Sequence, residues 1–327
     1  MPSLITHYLC GNAVYANYTI LNHRSVFNLG TQGPDIFFYY NAWPWAKSEG
    51  IPKLGNRIHE EKTGEFISEA LRYTSKSDGV SKNILTAYMC GYLCHYALDC
   101  RAHPYIFYRT GFIRSGEAYT PKYTCYHRMF ETALDVLMLK RELGKRPSEF
   151  NAPDKIRISK QEAFVIAEMY SKVLDKVYAA DISPELVCRS INDMIGITAL
   201  LRDTTGIKKR LLSSMEKALK KPPMFSSMIL PLTVDDGLDY LNASHSVWHL
   251  PWDISEKLTF SFADSFEAAI SESNKIINTV LCCIDNGNDL ESAMSLIGNR
   301  SFSTGEDCSR DLEFKYFESI YESHHSS

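Results

Sequence analysis

The chain has 327 residues, 45% hydrophobic, 23% charged and 12% aromatic, which excludes a disordered tail protein, a collagen-like repeat and a coiled-coil rod. With 35 basic and 39 acidic residues its net charge is −4, so no global basic field favours nucleic acid or an anionic surface, and the balance argues against extended nucleic-acid binding.

Apolar residues recur at three-to-four spacing along most of the sequence. The start, Met1-Pro2-Ser3-Leu4-Ile5, has no basic and apolar leader pattern, and a first helix is expected over Leu4 to Leu21. Asn28 to Gly55 is rich in Gly, Pro and aromatics and reads as a long loop. Helices follow over Glu61 to Tyr73 and Lys82 to Ala102, the second closed by Pro104. The uncharged stretch Asn83 to Leu98 is too short to span a bilayer, so no transmembrane segment is expected. After a connection over Tyr108 to Pro121, helices are expected over Lys122 to Leu143, Lys160 to Ala179, Pro184 to Leu201 and Ile207 to Leu219. A proline-rich loop from 221 to 252 precedes helices over Ala263 to Ile284 and Leu290 to Ile297. Strand alternation is short and rare. The expected fold is all-α, a compact multi-helix domain over 1–200 with a helical extension over 201–327 packed on it. Nine cysteines, an odd number, read as reduced thiols of a cytoplasmic protein, with Cys94 and Cys100 on separate helix faces.

His95, Asp99 and His103 stand at i, i+4 and i+8, one stripe of one helix, each about 6 Å further along the axis. Imidazole and carboxylate suit zinc, and a carboxylate between two imidazoles can bridge two ions. His127 and Glu131 repeat the one-turn step on the next helix, and Asp135 continues that stripe as a partner or surface acid. His7, Asp35 in Gly33-Pro34-Asp35, and His59 are further candidates. The aromatic run Asp35 to Tyr40 through Trp43-Pro44-Trp45 reads as core packing. His245 and His249 read as a loop packing back on the domain, Arg101 and Arg109 as ion-pair partners, and His324 and His325 as a solvated tail.

The order His, Gly-Pro-Asp, His, His-x3-Asp-x3-His, His-x3-Glu resembles the zinc-dependent phospholipase C family, related in fold to the fungal-type single-strand-specific zinc nucleases. The likeness covers roughly residues 4 to 200. It implies a helical domain with two to three zinc ions at one cleft. Asp35, His59, His95 and Asp99 would hold one ion. Asp99 would bridge to a second on His7, and His103, His127 and Glu131 would hold a third. Secreted members begin with a Trp that binds zinc through its amino group and carbonyl. Here Met1-Pro2 stands instead, leaving Pro2, His23 or water to fill that place. The implied activity is hydrolysis of a phospholipid or other small phosphodiester by a zinc-bridging hydroxide, with Asp35 orienting or deprotonating the water. A nuclease or nucleotide phosphatase on the same site, or a metal-stabilised binding protein without catalysis, are the competing expectations.

Overall fold

The computed structural model describes residues 4–18, 21–43, 46–47, 50–286 and 289–322. Most of them are helical. The order is α1 (Leu4–Tyr15), α2 (Arg24–Gly30), a 3-10 helix (Gly33–Tyr39), α3 (Ile51–Glu60), α4 (Thr63–Lys76), α5 (Gly79–Thr110) and α6 (Lys122–Leu143). Then come α7 (Ala152–Lys155), α8 (Lys160–Tyr178), α9 (Pro184–Leu201), α10 (Ile207–Ala218), α11 (Phe262–Asn286) and α12 (Glu291–Ile297). One hairpin, β1 (Trp248–Leu250) against β2 (Asp253–Leu258), is antiparallel with Trp248 opposite Leu258.

The 32-residue α5 is the axis of the molecule. Its middle is buried on every side, from Ile84 through Ala102 with few breaks, and a helix apolar all round must be enclosed by others. Helices α1, α2, α4, α6, α8 and α11 all pack against it. The closest approach is to α2, where Gly30 and Gly91 let two backbones touch. A Cβ on Gly91 would stand 2.1 Å from the Phe27 carbonyl oxygen, and one on Gly30 2.1 Å from that of Tyr88. Gly91→Ala is therefore expected to cost about 3 kcal/mol, read from denaturant unfolding, because both obstructing atoms are backbone.

Several elements depart from the sequence expectation. The first helix stops at Tyr15 rather than Leu21. The stretch 28–55 is no single loop: it holds the end of α2, the 3-10 helix and the start of α3. Gly33-Pro34 starts the 3-10 turn with proline in its first turn, where no N–H is needed. In α3 the glycines and Pro52 mask an apolar face of Ile51, Leu54 and Ile58. Pro104 does not end α5, which runs on to Thr110. A proline deletes one helical hydrogen bond, and the turn beyond it is held from outside, by Tyr105 against Trp248 and by Tyr108 packed near the same indole. The loop 221–252 carries a 3-10 turn (Ser226–Met228) and β1. Pro44 and Trp45 of the aromatic run, with Pro2, His324 and His325, lie outside the described residues. Ile36, Phe37, Tyr39 and Tyr40 are buried in the core. Among the described residues, which include all nine cysteines, no disulfide is formed. Among the described residues, no helix is long and apolar enough to cross a membrane.

Candidate metal centre

The stripe His95, Asp99, His103 faces α1 and the 3-10 helix, which bring His7 and Asp35 onto it. Gly33 makes room: its φ is +50°, and a Cβ there would lie 2.4 Å from the His95 ring. The rings of His7 and His95 stack with centroids 4.2 Å apart. His7 Nε2 stands 3.1 Å from Asp99 Oδ1, and His95 Nε2 3.0 Å from Asp99 Oδ2. His59, near the end of α3, places Nε2 3.1 Å from Asp35 Oδ1, while His95 Nε2 is 4.0 Å from Asp35 Oδ2.

The far sides of three rings are tied to backbone. His59 Nδ1 lies 2.7 Å from the Gly55 carbonyl, His95 Nδ1 3.1 Å from that of Thr31, and His103 Nδ1 2.9 Å from that of Phe302. A carbonyl only accepts, so each Nδ1 carries the proton and, in the neutral ring, Nε2 presents a lone pair to the cluster. Lone pairs then face carboxylates at about 3 Å, an arrangement that needs a proton or a metal cation between them. Both oxygens of Asp35, Asp99 Oδ2, Glu131 Oε2, His95 Nε2 and the Nδ1 atoms of His7 and His127 are buried with no well-aligned hydrogen-bond partner. Orphaned polar atoms are rare in folded interiors, and here they converge.

Three groups have ligand atoms within 4.8 Å of one another: His7, Asp35 and His95; His59, His95 and Asp99; and His103, His127 and Glu131. His95 belongs to two of them. All eight candidate ligands are thus brought together, and a donor set of imidazole nitrogens and carboxylate oxygens fits zinc. In the metal-free protein, protons do part of the compensation. Burial pushes the Asp99 carboxyl up, yet His95, His103 and His7 together hold it well below the usual carboxylate range. Burial likewise opposes ionised Glu131, and His127 with His103 overcomes it. Burial lowers His103, but Asp99 and Glu131 bring it up to about 9. Burial wins at His95, which falls below the ordinary histidine value.

The third group is the open end of the site. His127 and His103 keep 19% and 12% of their side chains exposed, whereas His95 and Asp35 are sealed. Their rings stack 5.7 Å apart, and His127 Nε2 lies 3.2 Å from Glu131 Oε1. A cavity of about 300 Å³ adjoins His127, lined by Phe107, Phe112, Ile113, Tyr123 and Arg128.

Asp135, one turn beyond Glu131, accepts hydrogen bonds from the backbone N–H of Ile5 (3.2 Å) and Thr6 (2.7 Å) and from the Thr6 hydroxyl (2.8 Å). A carboxylate from α6 thus satisfies the free N–H groups at the start of α1 and sets His7 on α1 against His95. Asp135→Asn is expected to cost about 1–2 kcal/mol in thermal unfolding and to loosen the ion sharing His7, measured by competition with a chelating dye.

Sequence reasoning missed the supports. Phe302 packs its ring 4.8 Å from His59 and 5.6 Å from His95, accepts from His103 and donates its N–H to the His59 carbonyl. No local pattern marks it, because it reaches the site from some 200 residues away. Thr31 and Gly55 act through backbone carbonyls, which any residue offers. Of the alternatives raised for the second ion, His23 pairs instead with Glu162 (3.0 Å), as the carboxylate is at hand where α8 begins. His245 and His249 bind the carbonyls of Thr259 and Glu256 on the hairpin, outside the metal groups. Arg101 pairs with Glu272 at 2.6 Å.

The helical fold thus encloses groups of His, Asp and Glu that could hold metal ions. Residues 6–185 match the family described as zinc dependent phospholipase C, and the chain belongs to that family. No curated protein and no solved structure matches it significantly.

Proposed function

We propose that the protein is a zinc-dependent phosphodiester hydrolase that cleaves a phospholipid or another small phosphodiester on two to three ions. The observation that carries this is the convergence of eight candidate ligands, six of which (His7, Asp35, His95, Asp99, His127 and Glu131) hold buried polar atoms with no hydrogen-bond partner. Asp35, His59, His95 and Asp99 would hold one ion, His7 with Asp99 a second, and His103, His127 and Glu131 a third. Zinc held there would supply Lewis acidity, making a water nucleophilic at neutral pH and offsetting charge on phosphoryl oxygens. Asp35, both of whose oxygens are free of hydrogen bonds, orients the attacking water and accepts its proton. The backbone-tethered rings of His59, His95 and His103 fix the geometry without reorganisation. Substrate enters at the partly exposed His103 and His127, where the cavity walled by Phe107, Phe112 and Tyr123 takes its apolar part and Arg128 faces its anionic part.

We read 1–200 as the catalytic domain and 201–327 as an extension packed on it. Contact of α11 with α5 and of Phe302 with His103 supports an extension that completes the site. The test is a panel of phosphatidylcholine, phosphatidylinositol, nitrophenyl phosphodiester and single-stranded nucleic acid, assayed on zinc-loaded protein. Turnover of a lipid or nitrophenyl ester that chelator abolishes and zinc restores is the expected result. Cleavage of nucleic acid alone would move the activity to a nuclease, and no turnover with all ions bound would leave a scaffold. His245→Ala, in the turn before β1, should change turnover less than about threefold, since a side chain away from the reacting atoms supplies no transition-state contact.

A further inference from the structure

Helix α10 is amphipathic the wrong way round. Its inward face is polar: Lys209 Nζ donates to the carbonyls of Ser226 (2.7 Å) and Ile229 (2.6 Å), and Glu216 Oε1 accepts from the N–H groups of Phe225 (2.6 Å) and Ser226 (3.3 Å). Its outward face is apolar. Ile207, Leu211 and Met215, with Leu219 one residue past its end, are 56, 61, 59 and 63% exposed at successive i+4 steps. Lys208 donates to the Leu200 carbonyl (2.8 Å), and Leu200 adds another exposed apolar side chain. Single exposed leucines are ordinary, but a stripe of four, with Leu200 exposed at the end of α9, marks a surface that something covers.

Charge says what covers it. Residues 207–221 hold five lysines and Arg210 against the one acid Glu216, a local charge of +5 in a chain whose total is −4. Arg210, Lys217, Lys220 and Lys221 are exposed beside the stripe, placed to meet lipid phosphates while the apolar side chains enter the acyl boundary. We propose that α10 docks the protein onto an anionic lipid bilayer. The chain leaving α10 packs on α6: Met224 places its sulfur 3.6 Å from that of Cys125, and its carbonyl lies 3.4 Å from Arg128, the neighbour of His127.

The docking reading is tested apart from hydrolysis. The full zinc-loaded chain is sedimented with vesicles of phosphatidylcholine, alone or with about one-third phosphatidylserine. Binding to the mixed vesicles only, weakening with added salt, is expected. The double variant Leu211→Gln, Met215→Gln and the triple variant Arg210→Gln, Lys217→Gln, Lys220→Gln should each bind about a hundredfold more weakly. All five side chains are exposed, so melting temperature and turnover of a soluble nitrophenyl phosphodiester should stay at the wild-type level. Wild-type protein that ignores the mixed vesicles, or variants that bind them equally, overturn the proposal. A dimer in solution that the double variant converts to monomer would overturn it too, by giving the stripe to a second copy.

Discussion

Asp99→Asn is expected to remove more metal than any other single substitution, and with it nearly all activity. Asp99 lies within 3.1 Å of two imidazole nitrogens from different helices, His7 Nε2 on α1 and His95 Nε2 on α5, with His103 Nδ1 at 3.7 Å. In the proposed bridging role Asp99 would serve two ions, so its loss should lower zinc content by more than one equivalent. His7→Ala should lower it by one at most, because Asp35, His59 and His95 still form a site without it. Asparagine keeps the volume and one carbonyl oxygen, so packing in α5 is preserved and near-ultraviolet dichroism should not change. Turnover should fall by about 10²–10⁴ for each catalytic role lost, and Asp35→Asn should match that fall with smaller loss of metal. Elemental analysis of protein never exposed to chelator reads the first effect. Equal zinc content in Asp99→Asn and wild type would remove the bridging role and the mechanism built on it.

Much of this site was legible because its ligands repeat at helical spacing. His95, Asp99 and His103 declare themselves on one stripe, as do His127 and Glu131, and the helix period then dictates that each set shares a face. Asp135 was legible as a residue of that stripe, but its role was not. It works on the backbone of Ile5 and Thr6, some 130 positions away, and side chain to backbone contacts across that distance leave no pattern in sequence. Phe302 and the carbonyls of Thr31 and Gly55 are hidden for the same reason. In the fold, the long helices α6, α8 and α9 follow from periodicity and from boundaries such as Ser183, whose hydroxyl accepts from the Leu186 N–H. The errors fall where punctuation was taken literally. Pro104 lies within α5 because the chain around it is clamped by tertiary contacts, and local propensity yields to packing. Gly33 and Gly91 each mark a place where an incoming ring or backbone leaves no room for a side chain, a requirement set by distant parts of the chain.

Chelation is expected to lower the melting temperature on the order of 10 °C, and by more as the pH rises. An ion bound only by the folded chain stabilises it by about 4 kcal/mol when its concentration is a thousand times its dissociation constant, and a chain of this size converts that into such a shift. The pH dependence follows from what replaces the metal. In the metal-free protein His7 and His59, like His103, are raised despite their burial, His7 chiefly by Asp99 and His59 chiefly by Asp35, and His103 reaches about 9. A histidine with a raised folded pKa takes up its proton more readily in the fold than in the unfolded chain. Its stabilisation is complete below about 6.5, the ordinary value, and is lost as pH climbs through the folded value. Near pH 6 protons therefore compensate the clustered carboxylates and chelation should do little harm. As pH rises through the folded values the rings give up their protons, the carboxylates face lone pairs, and the ions are left to hold the cluster together. Zinc binds neutral imidazole and competes with the same protons, so uptake at neutral pH should release protons and tighten with rising pH. Melting curves of loaded and chelated protein at pH 6, 7.5 and 9 read the difference directly. A gap that is constant across this range, or that narrows with pH, would mean that these histidines and carboxylates do not hold the ions.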